Sequence, residues 1–95
     1  MNEKLKNEQM QILMKAILNL ETEDECYAFF DDLCTVSELK SLEQRFEVAR
    51  MLKEGCQYAE IVAKTGASSA TISRVNRALL YGADGYKNAI EKLSK

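Results

Sequence analysis

The chain has 95 residues, 46 % of them apolar and 29 % charged, with a formal net charge of −2, which makes one small domain of ordinary globular composition that hides only ~60–65 % of its unfolded surface. It has no proline and four glycines (Gly55, Gly66, Gly82 and Gly85), which argues against sandwiches, barrels and disordered linkers and for helices joined by tight turns. It has no histidine, and its three cysteines (Cys26, Cys34 and Cys56) show no C-x-x-C spacing, so the commonest general base is absent and neither a metal site nor a disulfide framework is expected.

Six helices can be read in chain order. The first spans about Asn2 to Asn19. Its polar positions Gln11, Lys15 and Asn19 recur every four residues, while Met10, Ile12, Leu13, Met14, Ala16, Ile17, Leu18 and Leu20 fill the rest. Residues four apart stack on one helix face. This helix therefore has one narrow wet stripe and is apolar nearly all round, far more than the ~100° stripe a surface helix needs. It is either the central core helix of a monomer or an interface helix, and the excess apolar surface favours a second copy of the chain.

The second helix, about Asp24 to Cys34, carries Cys26, Phe29, Phe30 and Leu33 at i, i+3, i+4 and i+7 as a core face. Glu23, Asp24 and Glu25 suit the positive end of its dipole. A break follows at Thr35-Val36. Ser37 is expected to cap a third helix running to Glu54, with Leu39, Leu42, Phe46, Ala49 and Leu52 as its inner seam and Gly55 as its stop. Two of the three cysteines fall on apolar faces and read as buried free thiols.

The fourth and fifth helices lie in Gln57–Leu80. Ile61 and Val62 face inward, Gly66 supplies the left-handed turn, Ala67 fills the corner and Ser68 or Ser69 caps the next helix. Ile72 and Val75 seat that helix on its support. Helix, glycine turn, helix is the layout of a helix-turn-helix. The sixth helix, Gly85 to Leu93, is expected to bury Tyr86, Ala89, Ile90 and Leu93.

Charge is uneven. Residues 1–55 hold seven Lys/Arg against twelve Asp/Glu, a balance of −5, and residues 56–95 hold six against three, a balance of +3. Only the second part can lie along a polyanion without repulsion. The exposed positions of the fifth helix are Ser69, Ala70, Thr71, Ser73, Arg74, Asn76 and Arg77, small or hydrogen-bonding and without an acid. A helix entering a major groove needs that combination. Gln57, Tyr58, Lys64 and Arg77 are candidates for phosphates, Ser69 and Thr71 for base edges, with Ser68, Ala70, Ser73 and Arg74 completing the DNA-binding set. Asp31-Asp32 is not a catalytic pair, because adjacent helical residues point about 100° apart. With no reactive cysteine context and no phosphate loop either, an enzyme is not expected.

Leu42–Gly55 (L-E-Q-R-F-E-V-A-R-M-L-K-E-G) followed by Lys64–Arg74 (K-T-G-A-S-S-A-T-I-S-R) resembles the tryptophan repressor superfamily, most closely its YerC/YecD-type branch, over nearly the whole chain. The resemblance implies an all-α, six-helix fold with a helix-turn-helix and an intertwined homodimer on double-stranded DNA. Residues 1–55 would be dimerisation helices, 56–80 the helix-turn-helix and 81–95 the C-terminal helix. Ser68–Ala78 of each protomer would enter successive major grooves ~34 Å apart.

The resemblance also implies an effector pocket at Thr35, Arg45 and Arg74. Where the family has a glycine after the second arginine this chain has Val75, and where it has a serine that holds the ligand's amino group this chain has Ala78. A buried ammonium without its partner costs about 1–3 kcal/mol, so tryptophan binding is not expected and no cofactor is assigned. The alternative function is a protein-interaction module on the same scaffold that never touches DNA. No apolar run approaches the ~20 residues of a membrane span. The charged start, Met1 to Gln9, is unlike a secretory leader, so the expected location is cytoplasmic.

Overall fold

The computed structural model describes residues 2–94. A short 3-10 turn at Glu3–Leu5 precedes α1 (Glu8–Leu18), α2 (Glu23–Leu33), α3 (Val36–Lys53), α4 (Tyr58–Thr65), α5 (Ser69–Tyr81) and α6 (Gly85–Leu93). The described residues contain no strand. None of these helices is long and apolar enough to cross a membrane.

The starts of the helices follow from local side-chain chemistry. Asn7 accepts from the Met10 N–H at 2.9 Å, which fixes the start of α1 and separates it from the 3-10 turn. Thr22 accepts from the Glu25 N–H at 3.1 Å. At the head of α3, Thr35 Oγ1 accepts from the Glu38 N–H at 3.1 Å and Glu38 Oε1 accepts from the Thr35 N–H at 2.8 Å. This reciprocal pair satisfies two of the N–H groups a helix start leaves without partners. The Thr35 N–H, then its hydroxyl, holds the Glu38 carboxyl below the ordinary glutamate range. The cap is therefore Thr35 rather than Ser37, because the threonine has an acid three residues on, as a capping box requires.

α3 ends as its glycine implies. Gly55 has φ +87°, its N–H donates to Leu52 O at 3.0 Å, and the Cys56 N–H donates to Met51 O at 3.0 Å. Those two bonds form a Schellman motif, which needs the left-handed residue that glycine supplies most cheaply.

The chain divides into two compact units, with the boundary inside α3 between Leu39 and Lys40. Up to Leu39 the described residues include no buried side chain. Met10, Leu13, Ala16, Ile17, Leu20, Phe29 and Phe30 are half-buried, and Phe29 and Phe30 meet edge to face with ring centroids 5.3 Å apart. Ile12 (62 % exposed) and Leu18 (81 % exposed) stand in solvent, as do Tyr27, Leu33 and Val36.

From Lys40 on there is a core. Val48, Ala49 and Met51 of α3, Ile61 of α4, the corner residue Ala67, and Ile72 and Val75 of α5 are buried in one cluster. Leu52, Cys56, Leu79, Tyr86 and Ile90 pack against it half-buried. Fully burying an aliphatic side chain is worth ~1.5–3 kcal/mol, so this cluster holds α3, α4 and α5 in one arrangement. Phe46 and Tyr86 add a tilted aromatic pair at 6.3 Å, and Lys53 pairs with Glu91 at 3.7 Å.

Several expectations change at the level of single residues. The first helix starts after Asn7, not at Asn2. Cys26 is exposed, Cys34 and Cys56 are half-buried and all three are free thiols, so none is a buried core thiol. The seam of α3 is broader than one stripe: Val48 and Met51 are buried while Leu42 is exposed, because the second half of α3 is covered on more than one side. Val62 is 44 % exposed; it lies about 100° round the short α4 from Ile61, and only Ile61 reaches the core. On α6, Tyr86 and Ile90 are half-buried but Ala89 and Leu93 are exposed.

Candidate nucleic-acid interface

α4, the turn and α5 form the helix-turn-helix. The turn is held by one side chain that the sequence pattern did not single out. Thr65 Oγ1 donates to Ile61 O at 2.7 Å and accepts from the Ala67 N–H at 3.1 Å, so a single hydroxyl bonds on both sides of the corner. Gly66 between them has φ +71°. Gln44 of α3 donates from Nε2 to Thr65 O at 3.1 Å, which ties the turn to the supporting helix. A threonine directly before the turn glycine, four residues after a core isoleucine, is a readable signal for this back-bonding.

Ser68 caps α5 and does so twice over. Its Oγ accepts from the Thr71 N–H at 3.1 Å and donates to Thr71 Oγ1 at 3.1 Å. Both hydroxyls are engaged in the cap, and Thr71 is half-buried. Ile72 and Val75 put the opposite side of α5 into the core.

The remaining residues of the sequence-derived set are on the surface. Ser68, Ser69, Ala70, Ser73, Arg74 and Arg77 are exposed, as are Gln57, Tyr58 and Lys64 on and before α4. On a helix turning about 100° per residue, Ser69, Ala70, Ser73, Arg74 and Arg77 fall within one arc of about 140°. That arc is the solvent face of α5, and the exposed Leu80 and Tyr81 at the helix end fall within it too. Asn76, beside it, is half-buried.

The charges on this face are free. Among the described residues Lys64, Arg74 and Arg77 form no ion pair, whereas Arg50 on α3 is paired with Glu47 and Glu54. Glu60, the acid nearest in sequence to Lys64, is turned back to accept from the Gln57 N–H at 3.4 Å at the start of α4. α5 has no acid in its first turn.

The effector residues are differently placed. Thr35 is exposed and belongs to the first unit, its hydroxyl and N–H committed to the α3 cap. Arg45 is half-buried and Arg74 exposed, and neither forms an ion pair among the described residues. Val75 is 2 % exposed and is part of the core, so its side chain fills space that a glycine would leave open. A groove of about 430 Å³ in the second unit runs elsewhere, between Arg50, Lys53 and Glu54 of α3 and Ile90, Leu93 and Ser94 at the end of α6.

Comparison with known proteins agrees with this geometry. The family model described as Trp repressor protein matches residues 8–94. The uncharacterized protein YerC of Bacillus subtilis is 52 % identical over 93 residues, covering 98 % of this chain and 89 % of its own length. The crystal structure of a proposed Trp repressor from Staphylococcus aureus superposes with a TM-score of 0.95 at 50 % identity, over 99 % of this chain and 95 % of that one. The TrpR-like protein from Eubacterium eligens gives a TM-score of 0.94 at 56 % identity, over 98 % of this chain and 96 % of that one.

Proposed function

The chain belongs to the Trp repressor family, and from that premise we propose that it is a sequence-specific DNA-binding transcriptional regulator, a repressor, that works as a homodimer. The observation that carries the reading is the solvent face of α5 from Ser69 to Arg77, which is acid-free, cationic and otherwise small-residued, and is held rigidly by a buried Ile72 and Val75. Such a face fits a major groove, where small side chains permit close approach and arginine meets phosphate or guanine.

The roles divide along the helix. Ser69, Ala70 and Ser73 meet base edges, with Ser68 and Thr71 fixing the helix start behind them and Arg74 reaching alongside. Gln57, Tyr58, Lys64 and Arg77 hold phosphates. A homodimer is supported by the first unit, where two helices patterned for burial leave Ile12, Leu18, Tyr27 and Leu33 exposed in the single chain. Exposed apolar surface of that kind marks an association site. Two copies present two α5 helices, matching a two-fold symmetric operator.

The test is a gel shift on a cognate duplex at two salt concentrations, comparing the wild type with Arg77→Ala. Affinity should fall with added salt, and the variant should bind more weakly with a shallower salt slope by about one released counterion. Binding indifferent to both salt and the substitution would remove Arg77 from the phosphate contacts. The interaction-module reading has no comparable observation behind it.

A further inference from the structure

We propose that Gln44 of α3 is a positioning residue for the DNA contacts of α4: by holding the Thr65 carbonyl it keeps the Lys64 ammonium aimed at its phosphate. The proposal rests on the DNA-binding reading above and adds the group on the supporting helix that sets one of its contacts.

Gln44 and Thr65 are both half-buried. They stand 21 residues apart in the chain, and Gln44 Nε2 donates to Thr65 O at 3.1 Å. Among the described residues this is the one hydrogen bond that a side chain makes from one helix to another. Thr65 closes α4, so its carbonyl lies beyond the reach of the N–H groups of its own helix. A carbonyl shielded from water and left without a donor costs free energy. The Gln44 amide therefore fixes where α4 ends.

α4 needs that second point. It has eight residues and one buried side chain, Ile61, whereas α5 is seated by two, Ile72 and Val75. A short helix held by one side chain can roll about it. Thr65 lies four residues after Ile61, on the same face, and the Gln44 bond there stops the roll. Lys64 is next to Thr65, exposed and without an ion pair among the described residues. Its side chain is flexible and its ammonium meets phosphate as a point charge, so the aim comes from the helix that carries it. Arg77 stands on α5, which has its own two anchors, and does not depend on Gln44.

The experiment uses the full chain and a duplex that it selects from a random pool. Gln44→Met and Gln44→Leu both remove the amide donor with side chains of different shape, so what they share belongs to the lost hydrogen bond. Each should bind about 3- to 10-fold more weakly than the wild type, the worth of one hydrogen bond. Two double-mutant cycles then separate positioning from general support. Lys64→Ala should weaken the wild type but add less than about 2-fold to either Gln44 variant, because the contact it removes is already lost there. Arg77→Ala should weaken all three by the same factor. Amide exchange reads the same point without DNA. The Gly66 N–H, bonded to Val62 O at 2.9 Å in the last turn of α4, should exchange faster in both Gln44 variants. The Ile72 N–H, bonded to Ser68 O at 3.0 Å at the start of α5, should keep its wild-type rate. On a duplex the wild type binds, additive losses for Gln44 and Lys64, equal coupling to Arg77, or unchanged Gly66 exchange overturns the proposal and leaves the DNA-binding reading intact. Exchange that quickens at both amides means general loosening and overturns it as well. Failure of the wild type to select any duplex overturns both.

Discussion

The stretch up to Leu39 and the stretch from Lys40 on use apolar residues in opposite ways. The first has two eleven-residue helices, each with a side-chain cap at its start, and not one buried residue among those described. The second has, among its described residues, seven that are buried, drawn from α3, α4, α5 and the corner between the last two. The same chemistry that closes a core in the second unit is left facing water in the first. On the proposed function the contrast has a reason: a head that reads DNA needs a helix held rigidly by its own core, and an element that dimerises needs apolar surface kept for the partner. The contrast runs through one helix: α3 begins with an exposed Val36 and carries a buried Val48, Ala49 and Met51 in its second half.

Substitutions can break the contrast from either side. The largest expected effect is Ile72→Ala. This side chain is fully buried at the centre of the head, and its loss should destabilise the fold by about 2–5 kcal/mol, read as a lower midpoint in denaturant. Next is Leu18→Glu. Leu18 is 81 % exposed in the single chain, so a monomer would tolerate the change almost without cost. In a dimer that buries it, the change should cost about 2–4 kcal/mol of association, by stranding a charge in the interface. Sedimentation across protein concentration reads that shift, and an unchanged association constant would place Leu18 outside the interface.

Ser68→Ala removes the cap of α5 but no core contact. It should cost about 1 kcal/mol of stability, and it should also free Thr71 from its fixed position, weakening DNA binding beyond what the stability loss explains. Last is an expected zero. L-tryptophan at millimolar concentration should leave the melting temperature unchanged, because Val75 closes part of the head's core and Ala78 offers no acceptor. A clear rise would show a ligand site there.

What the sequence disclosed follows the same contrast. The helix-turn-helix was legible because its determinants are local: the glycine at 66, the small Ala67, the Ser68 cap and the Ile72/Val75 pair all act within a few residues of one another. The sixth helix was legible in its bounds, set by Gly85 and the polar residues after Leu93. Ser37 was misread as the cap of α3 because the signal was taken from residue type alone; Thr35 has the glutamate three residues on that completes the bond pair. The burial of Val48 and Met51 could not be read from one helical stripe, since it depends on coverage from several directions at once. Cys26, Ala89 and Leu93 sit at core-like spacings but are exposed, because periodicity tells which face is apolar and not what covers it. Of the candidate interface, the exposed Leu80 and Tyr81 at the end of α5 were not named and Thr71 and Asn76 are half-buried, whereas Ser69, Ala70, Ser73, Arg74 and Arg77 are exposed and were named from the sequence. The withdrawal of the Thr71 hydroxyl into the Ser68 cap was not, because it depends on side-chain geometry rather than spacing.

The most direct measurement is selection of bound duplexes from a random pool by the purified full-length chain, with its mass in solution determined alongside. The account predicts a homodimer and an enriched consensus with two-fold symmetry, its half-sites about one helical turn apart. A monomer, or a pool in which no sequence is enriched, would contradict it.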